Sequence, residues 1–432
     1  MSLENDPITF AGLEKRQNDE AITTSDLSYT PNIFMSLEKI KELDEKYLLQ
    51  NYAKMPVAFQ YGSGEYLYDI EGKKYIDFLS GIAVTGLGHA HADLISTLQT
   101  QADALWHTSN LFFNAQQAQL GRALVELSIP GKVFFCNSGT EANEAALKLM
   151  RAFGQKFRSN KTKIISLRGG FHGRSFGSMS MTGQEKIHDG FGDILGDMVY
   201  VDPNDEDQIM AAFDENVCGM IIEPVIGEGG VLPIEGKYMQ LVRDLCNEFE
   251  SLMVVDEIQI GMGRSGKYFA YQNYDIKPDA ITLAKALGGG FPIGALIIAE
   301  QYATVLKPGT HGSTFGGNHL ACAVAYEVIR TIESNDILDN VKKMGDYLFT
   351  KLILLQKKHP TRIHKIRGMG LLIGVVLNEK VLARPLITKG LAKGLIFGRA
   401  SDNVIRLAPP LILRQSVADK AIDILDEIIA EI

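Results

Sequence analysis

Between about Gly88 and Ala325 short apolar runs alternate with stretches of helical spacing. KVFFCNSG, TKIISLRGG, CGMIIEPV, LMVVDEIQI, DAITLAKA and IGALIIA carry continuous apolar residues, as strands buried on both faces do. TEANEAALKLMRAFGQKF and KYMQLVRDLCNEFE, between them, place apolar residues three and four apart. This alternation predicts an α/β fold: a large domain with a mostly parallel sheet covered by helices, and ligands at the carboxyl ends of its strands. The flanks have another texture. SLEKIKELDEKYLLQNY reads as a helix, and GEYLYDIEGKKYIDFLSG as a hairpin about Glu71-Gly72. Beyond residue 330 a long amphipathic helix (ILDNVKKMGDYLFTKLILLQKKH), a strand-rich stretch (IRGMGLLIGVVLNEK) and a last helix predict a smaller α+β domain. The expected organisation is an N-terminal arm over 1–35, an N-terminal segment of the small domain over 36–87, the large domain over 88–329 and the C-terminal small domain over 330–432.

Composition narrows the function. A net charge of −9 disfavours a nucleic-acid partner, which a basic face would attract. Cys136, Cys218, Cys246 and Cys322 form no CxxC pair, so neither a disulfide framework nor a zinc site is expected. No run of 18 apolar residues predicts a membrane helix, and the polar N-terminus has no signal-peptide core, so a cytoplasmic protein is expected. His89-Ala-His91 has no carboxylate or cysteine cluster beside it, and no metal is expected there.

Chemistry collects at strand ends. In NSGTEANEAALKLMR, Ser138 and Glu141 match the S-x-x-E capping box. The same turn suits a phosphate: Gly139 allows close approach, Thr140 offers a hydroxyl, and the helix start presents amides. Asp256 and Glu257 end the strand LMVV. Gly261, Gly263 and Gly266 after them match G-x-G-x-x-G, but two acids precede the glycines and no apolar helix follows in register, so the dinucleotide reading is discounted. Lys285 ends the strand DAITL before a glycine-rich turn. A lysine buried there has its pKa pushed down, and its neutral amine can attack a carbonyl. GGFHGRSFGS supplies an aromatic ring, a histidine and an arginine; HGSTFGGN, EPVIGEGG and VIRLAPP add further glycine- and charge-bearing turns. A phosphate cradle, a strand-end acid, a buried lysine and an aromatic loop together describe a site for pyridoxal 5′-phosphate (PLP), with the acid keeping the pyridine nitrogen protonated.

SGTEANEAALKL, FHGR, EPVIGEGG, VVDEIQIGMGRSGKYFAY, LAKALGGGFPIGA, HGSTFGGN and RLAPP, in this order, resemble the class III aminotransferases of PLP fold type I, from about Pro56 to the C-terminus. SGIAVTGLGHAHADL, LWHTSNLFFN and FHGRSF resemble the subgroup that acts on N-acetylornithine. The resemblance implies that Lys285 carries the cofactor and moves protons, Asp256 meets the pyridine nitrogen, Gln259 lies near the ring hydroxyl and Phe171 stacks on the ring. Ser138, Gly139 and Thr140 would hold the phosphate, with Thr314 reaching it from the neighbouring subunit of a homodimer. Arg174 and Ser313 would contact substrate, while Glu228 masks or releases Arg406. The implied reaction moves the δ-amino group of N-acetylornithine to 2-oxoglutarate, giving N-acetylglutamate 5-semialdehyde and glutamate. Ornithine, succinylornithine and 4-aminobutyrate aminotransferases stay open as alternatives, as do a mutase or epimerase on the same fold and a nucleotide-binding regulator using GMGRSG. Two positions depart from the common pattern: Phe315 stands where Tyr is usual, and Ile226 where Gln is usual.

Overall fold

The computed structural model describes residues 35–157 and 160–431. The arm expected over 1–35 lies, but for Met35, outside them. The chain divides into two units, up to Ala58 and from Phe59 onward. The first contains the helix Leu37–Tyr47, where the Ser36 hydroxyl accepts the amide of Lys39 at 3.2 Å and so caps the first turn. In the same unit Lys54 pairs with Asp44.

Within the second unit the chain forms β1 (Phe59–Ser63), β2 (Tyr66–Asp69), β3 (Lys74–Asp77), β4 (Gly131–Cys136), β5 (Lys163–Leu167), β6 (Met198–Val201) and β7 (Val217–Ile222). The short β8 (Val225–Ile226) and β9 (Leu232–Pro233) follow, then β10 (Leu252–Asp256), β11 (Ala280–Leu283) and β12 (Gly294–Ala299). Last come β13 (Ile363–Met369), β14 (Leu372–Leu377), β15 (Leu395–Ile396), β16 (Gly398–Arg399) and β17 (Val404–Leu407).

The main sheet has the order β4-β12-β11-β10-β7-β5-β6. It is parallel except for β12, which runs against both neighbours. β7, β10, β11 and β12 are buried at every residue, which is why they read as unbroken apolar runs. β6 escaped the sequence reading: it is a four-residue edge strand, only partly buried. The helix Gly139–Phe157 lays Ala145, Ala146, Leu149, Met150 and Phe153 on Ile221, Val254 and Leu296. It lies so close that a Cβ on Gly219 would meet the Met150 sulfur at 2.4 Å. Truncating Met150 to Ala there would cost about 2–5 kcal/mol. This packing fixes the carboxyl ends of β4, β5, β7, β10 and β11 along one edge.

The predicted hairpin is β2–β3, paired antiparallel from Tyr66↔Ile76 to Tyr68↔Lys74. Asp69 closes its turn, its Oδ1 accepting the amides of Glu71 and Lys73. The hairpin sheet, order β1-β2-β3-β15, takes its last strand from the far end of the chain, with Ile76 opposite Leu395. The expected strand-rich stretch supplies β13 and β14 of the third sheet, β13-β14-β17-β16, which sets Arg406 of β17 opposite Gly374 and Gly398. After β3 the backbone turns the unusual way: Ser80, Gly81, Ile82 and Ala83 have φ of 50, 62, 68 and 62°. For non-glycine residues this left-handed form costs about 1–2 kcal/mol each. No helix among the described residues is long and apolar enough to cross a membrane.

Candidate active site

The strand ends open into a cavity of about 430 Å³, lined in part by Ser138, Gly139, Thr140, Phe171, Arg174, Glu228, Asp256, Gln259 and Lys285. Nine of the twelve residues singled out from the sequence thus meet in one place.

Lys285 follows β11 with a left-handed backbone, φ 46°, another strained position at a strand end. Its amine has no hydrogen-bond partner among the described residues. Burial pushes its pKa below the ordinary lysine value, against the opposing pull of Glu228, Asp256 and Glu223. Asp256 at the end of β10 is buried and accepts three hydrogen bonds, which leaves acceptor capacity on Oδ1. Its Oδ2 accepts from Asn143 Nδ2 and from His172 Nδ1, each at 2.8 Å, and its Oδ1 accepts the amide of Ile258 at 3.0 Å. Burial works against a charged His172, but the hydrogen bond and charge of Asp256, with Glu223, outweigh it and hold the imidazole above its ordinary value. Asn143 and Glu223 were not recognised as partners from sequence, and His172 was noted only as part of its loop. Glu223 accepts the amides of Phe171 at 3.0 Å and Gly227 at 3.3 Å, and burial pushes it up to about 7.

The cradle after β4 differs from the expected capping box in one bond. Ser138 Oγ accepts the amide of Glu141 at 3.3 Å, as predicted. The Glu141 carboxylate reaches one residue further back, to the amide of Asn137 at 2.5 Å. The Asn137 side chain donates to the same carboxylate at 3.0 Å, so two donors on one residue draw it there. The Thr140 hydroxyl shares a hydrogen with Ser178 Oγ at 2.6 Å and accepts the amides of Arg174 and Ser175, tying the FHGRSF loop to the helix start. Gly173 permits the approach: with φ 140°, its Cβ would lie 2.4 Å from the Thr140 hydroxyl. In that loop the Arg174 guanidinium lies 5.7 Å from the Phe171 ring centre.

Glu228 closes another side. Arg406, buried behind it, donates through Nη1 to the Glu228 carboxylate and, at 3.4 Å each, to the Gly227 carbonyl and Gln259 Oε1. Gln259 Nε2 donates to Glu228 at 3.3 Å. Burial raises the Glu228 pKa, but Arg406 outweighs this and holds it below the ordinary carboxylate value. Arg406 itself does not line the cavity. Ser313 and Thr314 also lie outside it, in an adjoining cavity of about 520 Å³. Asn137 is the shared wall, its side chain donating to Ser313 Oγ at 3.1 Å. Ile226, at a departure from the common pattern, is buried in β8 and does not line the cavity.

Amides at a helix start, hydroxyls, an aromatic ring, a buried carboxylate and a desolvated unpartnered amine complement an aromatic phosphoester bearing a ring nitrogen and a carbonyl. That set fits PLP. The GMGRSG glycines lie elsewhere: Arg264 is fully buried and donates to the carbonyls of Leu371 and Pro409, and no α-helix opens there.

Known proteins place the chain. An acetylornithine aminotransferase from Caldanaerobacter subterraneus subsp. tengcongensis is 44% identical over 90% of this chain and 98% of its own length. The crystal structure of N-acetylornithine aminotransferase from Stenotrophomonas maltophilia superposes with a TM-score of 0.78 and 36% identity, covering 90% of this chain and 98% of that one. An ornithine aminotransferase from Toxoplasma gondii, with PLP at partial occupancy in its active site, gives a TM-score of 0.87 at 31% identity, covering 91% and 94%. The family model for class-III aminotransferases matches residues 47–429. With the strand-end lysine and acid in one cavity and the family pattern spanning nearly the whole chain, this protein belongs to the class III aminotransferases, a family whose chemistry rests on PLP.

Proposed function

We propose that the chain is an N-acetylornithine aminotransferase, moving the δ-amino group of N-acetylornithine to 2-oxoglutarate. The observation that carries this reading is the Arg406–Glu228 pair beside a cavity that Arg174 also lines. The names of the two acetylornithine relatives support it.

Lys285 is the residue that carries PLP. Asp256 would meet the pyridine nitrogen, Gln259 the ring hydroxyl and Phe171 the ring, while Ser138, Gly139 and Thr140 would hold the phosphate. When bound, PLP supplies a carbonyl that captures the substrate amine and a ring that accepts an electron pair. Lys285, with its depressed pKa, takes the proton from the amino-bearing carbon and would deliver it to the carbon of the cofactor's former carbonyl, acting first as base and then as acid. His172 and Asn143 hold Asp256 in place and keep its charge buried. The two substrates differ in where their carboxylates fall. Glutamate presents two: Arg406, released from Glu228, takes the α-carboxylate, and Arg174 the other. N-acetylornithine presents one, which Arg174 takes while Glu228 stays on Arg406 and masks it. Ser313 completes the substrate contacts.

Thr314, outside its own chain's cavity, reaches the phosphate of a partner subunit in a homodimer. The exposed Trp106, Leu111, Phe112 and Phe113 support such an interface, since apolar patches of this kind mark association surfaces.

The test is transamination of 2-oxoglutarate with N-acetylornithine, N-succinylornithine, ornithine and 4-aminobutyrate in parallel. N-acetylornithine is expected to give the highest kcat/KM; a higher value for another amine moves the substrate. Glu228→Ala is expected to lower the N-acetylornithine half-reaction about tenfold more than the glutamate half-reaction, because an unmasked Arg406 charge then faces the acylated chain. Equal losses in both would refute the masking role.

A further inference from the structure

Val84 lines the same cavity as Lys285, and it arrives there directly from the left-handed turn Ser80–Ala83. We propose that Asp77 and His89 are a positioning pair that holds this turn in its left-handed form, and so sets how Val84 limits the amino donors the site accepts. The identity of the donors rests on the aminotransferase reading above; the turn does not.

Three observations carry the inference. First, the turn is against the preference of its own residues. A β-branched side chain such as Ile82 at φ 68° disfavours this backbone, and Ser80 and Ala83 share the form. Something outside the turn must hold it. Second, one buried carboxylate does so. Asp77, at the end of β3, accepts the amides of Leu79 and Ser80 through Oδ1, both at 2.8 Å, which fixes the entry to the turn. Its other oxygen takes His89 Nε2 at 2.7 Å, beyond the turn's exit. The carboxylate therefore bridges the two ends. Third, both ends are anchored. His89 exchanges backbone hydrogen bonds with Gly64 at 2.9 and 3.0 Å. The carbonyls of Phe78 and Gly86, on either side of the turn, accept the amides of Ala408 and Leu411. Inside this frame the turn closes on itself, with the amides of Ile82 and Ala83 on the Leu79 carbonyl and those of Val84 and Thr85 on the Ser80 carbonyl. Loss of the bridge lets residues 80–83 relax toward ordinary dihedrals and shifts Val84 in the cavity wall. His89, which the sequence offered as half of a weak metal pattern, thereby has a partner and a task.

The test uses His89→Leu, which keeps volume and removes the bond, and His89→Gln, whose amide donates from nearly the same place. Ile82→Gly is added to His89→Leu, because glycine adopts the left-handed form without restraint. Ile82 is 43% exposed, so its removal opens no core cavity. The readout is the ratio of kcat/KM for N-acetylornithine to that for ornithine. His89→Leu is expected to change the ratio by about tenfold, the scale of one displaced methyl group in a pocket. His89→Gln is expected to stay within about threefold of the parent, and Ile82→Gly to restore the ratio of His89→Leu to a similar margin. A uniform loss for both donors, or a changed ratio that Ile82→Gly leaves changed, overturns the proposal. Should His89→Leu not fold, Asp77→Asn carries the same readout. If the parent enzyme prefers a different amine, the substrate assignment fails, and the ratio between that amine and the next best tests the turn unchanged.

Discussion

Asp256 and Lys285 stand at the ends of β10 and β11, strands buried at every residue and paired on both sides. Val84, in the wall of the same cavity, follows four residues of positive φ held by one carboxylate and a few backbone hydrogen bonds. To move the first pair the core must be disrupted. To move Val84 a few hydrogen bonds must break. Groups that handle protons need one geometry for every substrate, and they sit on the stiff wall. The restrained turn is the part of the site that can be adjusted without touching the core.

The largest expected effect is on the stiff wall. Lys285→Ala should lower transamination by about 10³-fold or more, for every donor alike. The visible absorbance of covalently held cofactor should be lost on gel filtration, and retained absorbance would contradict the assignment of Lys285. Asp256→Asn should lower kcat by roughly 10²–10³-fold with the donor ratio unchanged. If it shifted that ratio as the His89 variants are expected to, the division between the two walls would break.

The smallest effect concerns pH. Burial pushes Glu223 and Glu257 up to about 7, and His172 sits above its ordinary value. Each binds protons more tightly folded than unfolded. Their stabilisation is full below the unfolded pKa and is lost as pH rises through the folded one. The thermal midpoint of the purified enzyme should therefore fall by a few degrees between about pH 5 and pH 8. Glu257→Gln, a position that accepts the amides of Ala270 and Tyr271, should flatten that slope. A midpoint that rises over this range would contradict the cost assigned to the buried acids.

The stiff wall was legible in the sequence because its signals are local. An apolar run, an acid or lysine at its end and a glycine turn all fall within a dozen residues. The bonds that finish the site are not local. His172 and Asn143 reach Asp256 across 84 and 113 positions, and no pattern in either stretch announces the meeting. The masking of Arg406 by Glu228, 178 positions apart, was reachable only through family resemblance. The turn was hidden for another reason. Ser80, Ile82 and Ala83 have no leaning toward positive φ, so only Gly81 hinted at it. The reversed direction of β12 was also hidden, since a fully buried strand reads the same either way.

The pairing of β3 with β15 bears on how the chain is made. Strands β1–β3 leave the ribosome early, but the edge of β3 that faces away from β2 has no partner until Leu395 emerges. At about 5–20 residues per second that interval lasts tens of seconds. Throughout it β3 is an open edge bearing the carboxylate that the turn depends on. During synthesis such an edge is one that a chaperone would protect.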